Sequence, residues 1–249
     1  MERRSLLVSD LDGTLIGDAA SLEKFAAWYD VQQGHFILAY SSGRFFDSVV
    51  DSIESTPLPE PDVVIGGVGT DIRNYRTRER FSAWTEQFES WDPLPVRRIL
   101  ASVDELELQP EEFQSRFKIS YYAHDLTEKL LGELRQKLTS AGFSADLIYS
   151  SRRDLDIVPA GIDKGSAARF LANHWRLPAD RVFVCGDSGN DRGMFLHGFR
   201  GVVVANAHAD LKQLTSNSVY HAQQAFAAGV LEGIEHWTAD QHAMCPAER

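Results

Sequence analysis

Two aspartates, Asp10 and Asp12, follow the apolar run Leu6-Leu7-Val8 and precede Gly13 and Thr14. Burying two carboxylates at the end of a buried strand is costly without a cation or hydrogen bonds. In parallel sheets the strand ends are where ligand chemistry sits, so the pair reads as a metal site on the carboxyl edge of a sheet. Taken alone, a D-x-D pair is as readily a solvated turn. Three further groups shift the balance: Ser42 after a second apolar run, Lys164 at a helix start, and Asp187 with Asp191 in GDSGND after another strand. Singly, Ser42 is a helix cap, Lys164 a solvated helix residue and Asp191 an acid favoured by the helix dipole. A doubly wound topology would put them all on one edge, where four acids repel one another without a divalent cation. Oxygen donors with no Cys/His spacing suit octahedral Mg²⁺ and disfavour zinc.

The chemistry follows from the groups. Asp10, held against Mg²⁺, is an in-line nucleophile on phosphorus that would form an aspartyl-phosphate. Asp12 can protonate the leaving oxygen and then take a proton from the hydrolytic water, while its backbone carbonyl completes the protein ligands. Ser42 and Lys164 would hold the non-bridging phosphoryl oxygens. Asp187 is the downstream metal ligand. Asp191 is either a second ligand or an acceptor orienting a metal-bound water or Lys164. Gly186 and Gly189 let the loop turn tightly. Asn190 can hydrogen-bond across it and joins Ser42 and Lys164 as a phosphate-binding candidate.

The elements that must position these groups read as follows. Strands are predicted at Leu6–Val8, His35–Tyr40 and Val63–Ile65, with helices over Ala20–Asp30 and from Phe46 to Ile53. That alternation opens a doubly wound α/β domain. Gly66–Gly69 is a flexible turn with the wrong spacing for a dinucleotide site, and Thr70–Arg73 is a short strand. The texture changes near Arg80: helical patterns at Phe81–Phe88 and Val96–Ser102, joined by Trp91–Pro95, are followed by a strand at Phe117–Tyr122. A helix over Leu126–Ala141 and strands at Ala145–Ser150 and Asp154–Val158 complete this block. The first pattern then resumes with a helix at Lys164–Trp175, strands at Arg181–Cys185 and Gly201–Ala205, and a helix at Ala227–Trp237; Asp240–Arg249 is a polar, frayed ending. The expected architecture is a doubly wound, Rossmann-like parallel-sheet core from residues 1–80 and 160–249, with an α/β cap, residues 81–159, inserted into it.

The 249 residues, 43% of them apolar, can bury a large core. Twenty-five basic against 36 acidic side chains give a net charge of −11, which argues against nucleic-acid and anionic-membrane surfaces. It leaves a small phosphorylated substrate open, since one lysine and a metal outweigh the global field locally. Cys185 falls in a predicted strand and Cys245 in the polar ending, so no disulfide framework is indicated. No leader or membrane-spanning run is visible, and a cytoplasmic protein is the expectation. A monomer is expected because a cap would shield the site.

Together DLDGT at Asp10–Thr14, SSGR at Ser41–Arg44, DKG at Asp163–Gly165 and GDSGND at Gly186–Asp191 resemble the motifs of the haloacid-dehalogenase-like phosphatase superfamily. FKISYY at Phe117–Tyr122, RRDLDIVPAGIDKG at Arg152–Gly165 and GVVVANAHADL at Gly201–Leu211 narrow the resemblance to its sucrose-phosphate phosphatase family, including mannosylfructose-phosphate phosphatases. The resemblance implies the nucleophile at Asp10, the acid/base at Asp12, phosphate binding by Ser42 and Lys164, and a Mg²⁺ site at Asp10, Asp12, Asp187 and Asp191. It further implies a cap that reads the sugar half of a disaccharide phosphate. Lys118, Tyr122, Arg152, Asp154 and Asp156 would supply that reading, and Asn206 a loop closing on phosphate or substrate. Other sugar-phosphate phosphatases, a phosphohexomutase and a non-catalytic sugar-phosphate binder are the alternatives.

Overall fold

The computed structural model describes residues 4–243. The chain begins with β1 (Ser5–Ser9), α1 (Ala19–Gln32), β2 (Phe36–Ser41), α2 (Phe46–Ser55), β3 (Val63–Gly66) and β4 (Asp71–Asn74). Helix α1 starts where Asp18 accepts from the Ser21 amide, and it turns Leu22, Phe25 and Tyr29 inward. Loss of such a cap costs roughly 1 kcal/mol.

The middle of the chain carries α3 (Ser82–Thr85), α4 (Pro93–Leu100), β5 (Glu107–Leu108), β6 (Ile119–Tyr122), α5 (Glu128–Ser140), β7 (Ala145–Ser150) and β8 (Asp154–Pro159). Helix α4 begins three residues before the expected Val96. Asp92 caps it by accepting from the Leu94 amide, and Pro93 fills a first-turn position whose missing N–H costs nothing. The chain then returns through α6 (Lys164–His174), β9 (Val182–Gly186), β10 (Arg200–Val203), α7 (Ala209–Lys212), β11 (Val219–His221) and α8 (Phe226–Ala243). The continuation of α8 through Ala243 replaces the fraying expected from Asp240, while Cys245 and the rest of 244–249 lie outside the described residues.

Two sheets result. The larger has the order β11-β10-β9-β1-β2-β3-β4, parallel throughout except for β4, which returns antiparallel on β3. The smaller is antiparallel, ordered β5-β6-β8-β7. Each sheet has its own apolar core: Leu6, Leu7, Val8, Leu38, Ile65, Phe183 and Val184 in the larger, and Val96, Ile119, Leu134, Leu155 and Ile157 in the smaller. The central strands of the larger sheet read as unbroken apolar runs because helices cover both faces. β11 is partly exposed and only three residues long, too brief for a periodic signal.

The parallel order brings the carboxyl ends of β1, β2 and β9 side by side. The Asp10 amide donates to the Cys185 carbonyl at 3.0 Å, so the chain leaves β1 still tied to β9. Among the described residues, no helix is long and apolar enough to cross a membrane.

Candidate active site

At this sheet edge Asp10, Asp187 and Asp191, all buried, each offer a carboxylate oxygen within 4.8 Å of one another. Lys164 enters from the first turn of α6. Its Nζ, fully buried, lies 2.7 Å from Asp10 Oδ1, Asn190 Oδ1 and Asp191 Oδ1, donating to all three.

Close backbone packing delivers the lysine there. Asp163 caps α6 in a reciprocal box with Ser166. A Cβ on Gly165 would meet the Gly193 carbonyl carbon at 2.2 Å, and one on Gly69 would meet the Asp163 carbonyl oxygen at the same distance. Glycine at both places lets α6 press onto its neighbours, and Gly69, at φ +106°, also needs the conformation. The turn at Gly67–Gly69 is thus buried and closely packed. Inside it Val68 holds φ +53°, a costly value for a β-branched residue, and its amide donates to the Ser42 carbonyl at 3.0 Å. Ser42 is buried, and its Oγ accepts from the Arg44 amide, which leaves its own proton available.

The electrostatics follow from burial. Asp10 is pushed well above the usual carboxylate range by loss of solvent and by the Asp191 and Asp187 charges, with Lys164 opposing. Burial and Asp191 likewise raise Asp187, to about 6. Burial alone would lower Lys164, but Asp10 and Asp191 more than compensate and hold it above an ordinary lysine. Three carboxylates against one ammonium leave an excess of negative charge that a divalent cation would balance. The donors are hard oxygens, with no sulfur or imidazole in the group, as Mg²⁺ requires.

A cavity of about 330 Å³ opens over these groups. Asp10, Asp12, Asp187, Ser188 and Asn190 line it from the larger sheet, and Gln109, Phe113, Lys118, Asp154 and Asp156 from the smaller.

A profile described as sucrose-6F-phosphate phosphohydrolase matches residues 3–238. The chain belongs to this family. It is 37% identical over 243 residues to a mannosylfructose-phosphate phosphatase of Agrobacterium fabrum, covering 95% of this chain and 98% of that protein. It is 34% identical to sucrose-phosphatase 1 of Nicotiana tabacum, covering 94% of this chain but 59% of the tobacco protein's length. A solved sucrose-phosphatase from Synechocystis, in complex with sucrose and phosphate, superposes with a TM-score of 0.90 at 32% identity, covering 96% of this chain and 99% of that one. Membership in the sucrose-6F-phosphate phosphohydrolase family makes the chain a phosphatase of the haloacid-dehalogenase fold.

Within that family framework the motif residues occupy distinct places. Asp12 turns its half-exposed carboxylate to Arg44, with which it forms a close ion pair, and stays apart from the acidic cluster. Asp191 Oδ2 accepts from the amides of Asp187 and Ser188 at 3.0 Å while Oδ1 takes Lys164. Both oxygens are therefore engaged by the protein, which favours the orienting role over that of a second ligand. Asp187 is held by Thr14 Oγ1, which donates to its Oδ1 at 3.2 Å.

The residues ascribed to sugar reading divide. Lys118, buried, donates from Nζ to Ser120 Oγ at 2.8 Å and to Asp156 Oδ1 at 3.1 Å. Asp154 accepts from Gln109 Nε2 at 2.9 Å and pairs with Arg153. Three others are not cavity residues. Arg152 is exposed, pairs with Asp125 at 2.7 Å and lines a neighbouring groove along β7. It does not line the cavity; Arg153, the next residue, does. Tyr122 lies under the Arg153 guanidinium, outside the lining. Asn206 donates to the Gly13 carbonyl at 2.7 Å and accepts from the Phe226 amide at 2.9 Å. Its amide is spent on backbone, so it braces the loop after Asp12 rather than reaching into the cavity.

Arg44, Gln109 and Phe113 line the cavity without having been assigned a role from sequence. Arg44 sits inside the SSGR motif and could have been found there. Gln109 and Phe113 lie in a segment whose two-residue strand gives no periodic signal.

Proposed function

We propose that this phosphatase hydrolyses a disaccharide phosphate of the sucrose 6'-phosphate or mannosylfructose-phosphate type, with Mg²⁺ held by Asp10, Asp187 and the Asp12 backbone carbonyl. The observation that carries this reading is one cavity with two unlike ends. Asp10 and Asp187, with Lys164 buried behind Asp10, form an end suited to phosphate, and Lys118, Asp154, Asp156 and Gln109 an end suited to hydroxyl groups. The relatives that act on such phosphates match over nearly the whole of this chain. Residues 81–159, in this reading, are the cap that selects the sugar.

Asp10 attacks phosphorus as the leaving alkoxide departs, forming an aspartyl-phosphate. Asp12, which lines the cavity beside Arg44, acts in its protonated form, released from the Arg44 pair: it gives that proton to the leaving oxygen and later takes one from the water that hydrolyses the acyl phosphate. Bound Mg²⁺ would supply positive charge against the phosphoryl oxygens as the carboxylate approaches. Lys164 and the Ser42 hydroxyl hold the remaining oxygens, Lys164 exchanging a carboxylate partner for phosphate. Asp191 fixes Lys164 and, through two amides, the turn that presents Asp187.

The test is kcat/KM for sucrose 6'-phosphate, mannosylfructose phosphate and glucose 6-phosphate, with Asp10→Asn as control. A disaccharide phosphate should lead by at least about tenfold, a margin of about 1.4 kcal/mol, and Asp10→Asn should be silent. Equal or better rates on glucose 6-phosphate would overturn the substrate class. Turnover that survives chelation of divalent cations would overturn the metal.

A further inference from the structure

The Lys118 ammonium stands 5.0 Å from the centroid of the Phe45 ring. The two residues come from different units. Lys118 enters β6 of the smaller sheet, whereas Phe45 follows Arg44 in the larger one and precedes the first residue of α2. The ring is fixed from behind: a Cβ on Gly67 would lie 2.9 Å from Phe45 Cε1, so the turn after β3 abuts it directly. The hydrogen bonds of the ammonium, to Ser120 and Asp156, stay within the smaller unit. An ammonium carries three protons; these two bonds leave one uncommitted, and Lys118 lines the cavity.

We propose that Phe45 is a specificity-determining residue that holds Lys118 in place for the sugar from across the boundary between the two sheets. The inference rests on the sugar-phosphate reading above. The face of an aromatic ring is electronegative and attracts a cation most strongly when water is excluded, and Lys118 is almost fully buried. Phe45 also stands one residue from Arg44 and three from Ser42 in the phosphate-binding segment. One short stretch thus ties the phosphate end of the cavity to the sugar end. Lys118 is correctly aimed only while the smaller unit is seated on the larger.

The test separates the ring's charge distribution from its bulk. Phe45→Leu keeps an apolar side chain and removes the ring; Phe45→Tyr keeps the ring. Steady-state kinetics are compared on sucrose 6'-phosphate, mannosylfructose phosphate and p-nitrophenyl phosphate, which has no sugar. Phe45→Leu should raise KM for the disaccharide phosphate about 5- to 30-fold, the range for a partly to fully desolvated cation–π pair. The preference over p-nitrophenyl phosphate should fall by the same factor, and Phe45→Tyr should restore it. An unchanged preference, or a loss of equal size with Tyr and Leu, overturns the proposal. A urea-unfolding double-mutant cycle with Lys118→Met reads the contact without substrate. Coupling of at least about threefold in the unfolding constant is expected, and none would overturn the contact. If the wild type cleaves p-nitrophenyl phosphate but no disaccharide phosphate, the substrate reading fails and with it the role in specificity, while the cycle still reports on the contact.

Discussion

Lys164 Nζ and Asp10 Oδ1 meet at 2.7 Å, although 154 positions separate the two residues in the chain. The same ammonium is bonded to Asp191, so it neutralises part of a buried cluster of carboxylates. Removing one partner of a buried ion pair typically costs roughly 3–5 kcal/mol, because the remaining charge is stranded. Lys164→Met should therefore lose about that much stability in urea unfolding without metal, and lose turnover as well. Stability within about 1 kcal/mol of wild type would mean the cluster takes up a proton without penalty.

Gly13 bears directly on Asp187. It holds φ +85°, and a Cβ there would sit 2.5 Å from Asp187 Oδ2. Gly13→Ala should displace the Asp187 carboxylate and weaken Mg²⁺ binding about tenfold or more, equivalent to roughly 1.4 kcal/mol. Mg²⁺ titration of activity and calorimetry on the variant would both read this. An unaltered affinity would show that Asp187 is not a ligand.

Asn206 braces backbone on both sides, at Gly13 and Phe226. Asn206→Ala should lower stability by about 1–3 kcal/mol for the two hydrogen bonds lost. The KM for substrate should change less than the stability does. A large rise in KM with unaltered thermal unfolding would restore the substrate contact expected from sequence.

Glu232 predicts a pH dependence of stability. Its carboxylate accepts from the Tyr220 hydroxyl at 2.7 Å and from the amides of Gln223 and Gln224. Burial is the largest single influence and raises its pKa, but these bonds and the nearby His236 together outweigh it, and the net value lies below an ordinary glutamate's. Because the folded value is depressed, the stabilisation is complete above the unfolded value, about 4.3. It is lost as pH falls through the lower, folded value. Wild type should exceed Glu232→Gln by about 1 kcal/mol at pH 7, and the gap should close progressively below about pH 4. A gap that widened on acidification would refute this.

Much of the larger sheet was legible because its strands are continuous apolar runs, Leu6-Leu7-Val8 and Val63-Val64-Ile65 among them, each ending in a turn or a reactive residue. Burial on both faces imposes that signal on the sequence itself. The edge strands β5 and β11 were not legible, being two and three residues long and exposed or half-exposed. The start of α4 was hidden by Pro93, which reads as a break until Asp92 is recognised as its cap.

By itself the sequence determined which groups could do chemistry and which strand ends carry them, because a carboxylate directly after a buried apolar run is too costly to keep without a partner. Side-chain direction was a matter for the tertiary structure alone. It set Asp191 on Lys164 and two amides, Asn206 on backbone, Arg152 outside the cavity with Arg153 inside it, and Phe45 against Lys118. These depend on contacts between residues far apart in the chain, which leave no periodic trace in a sequence.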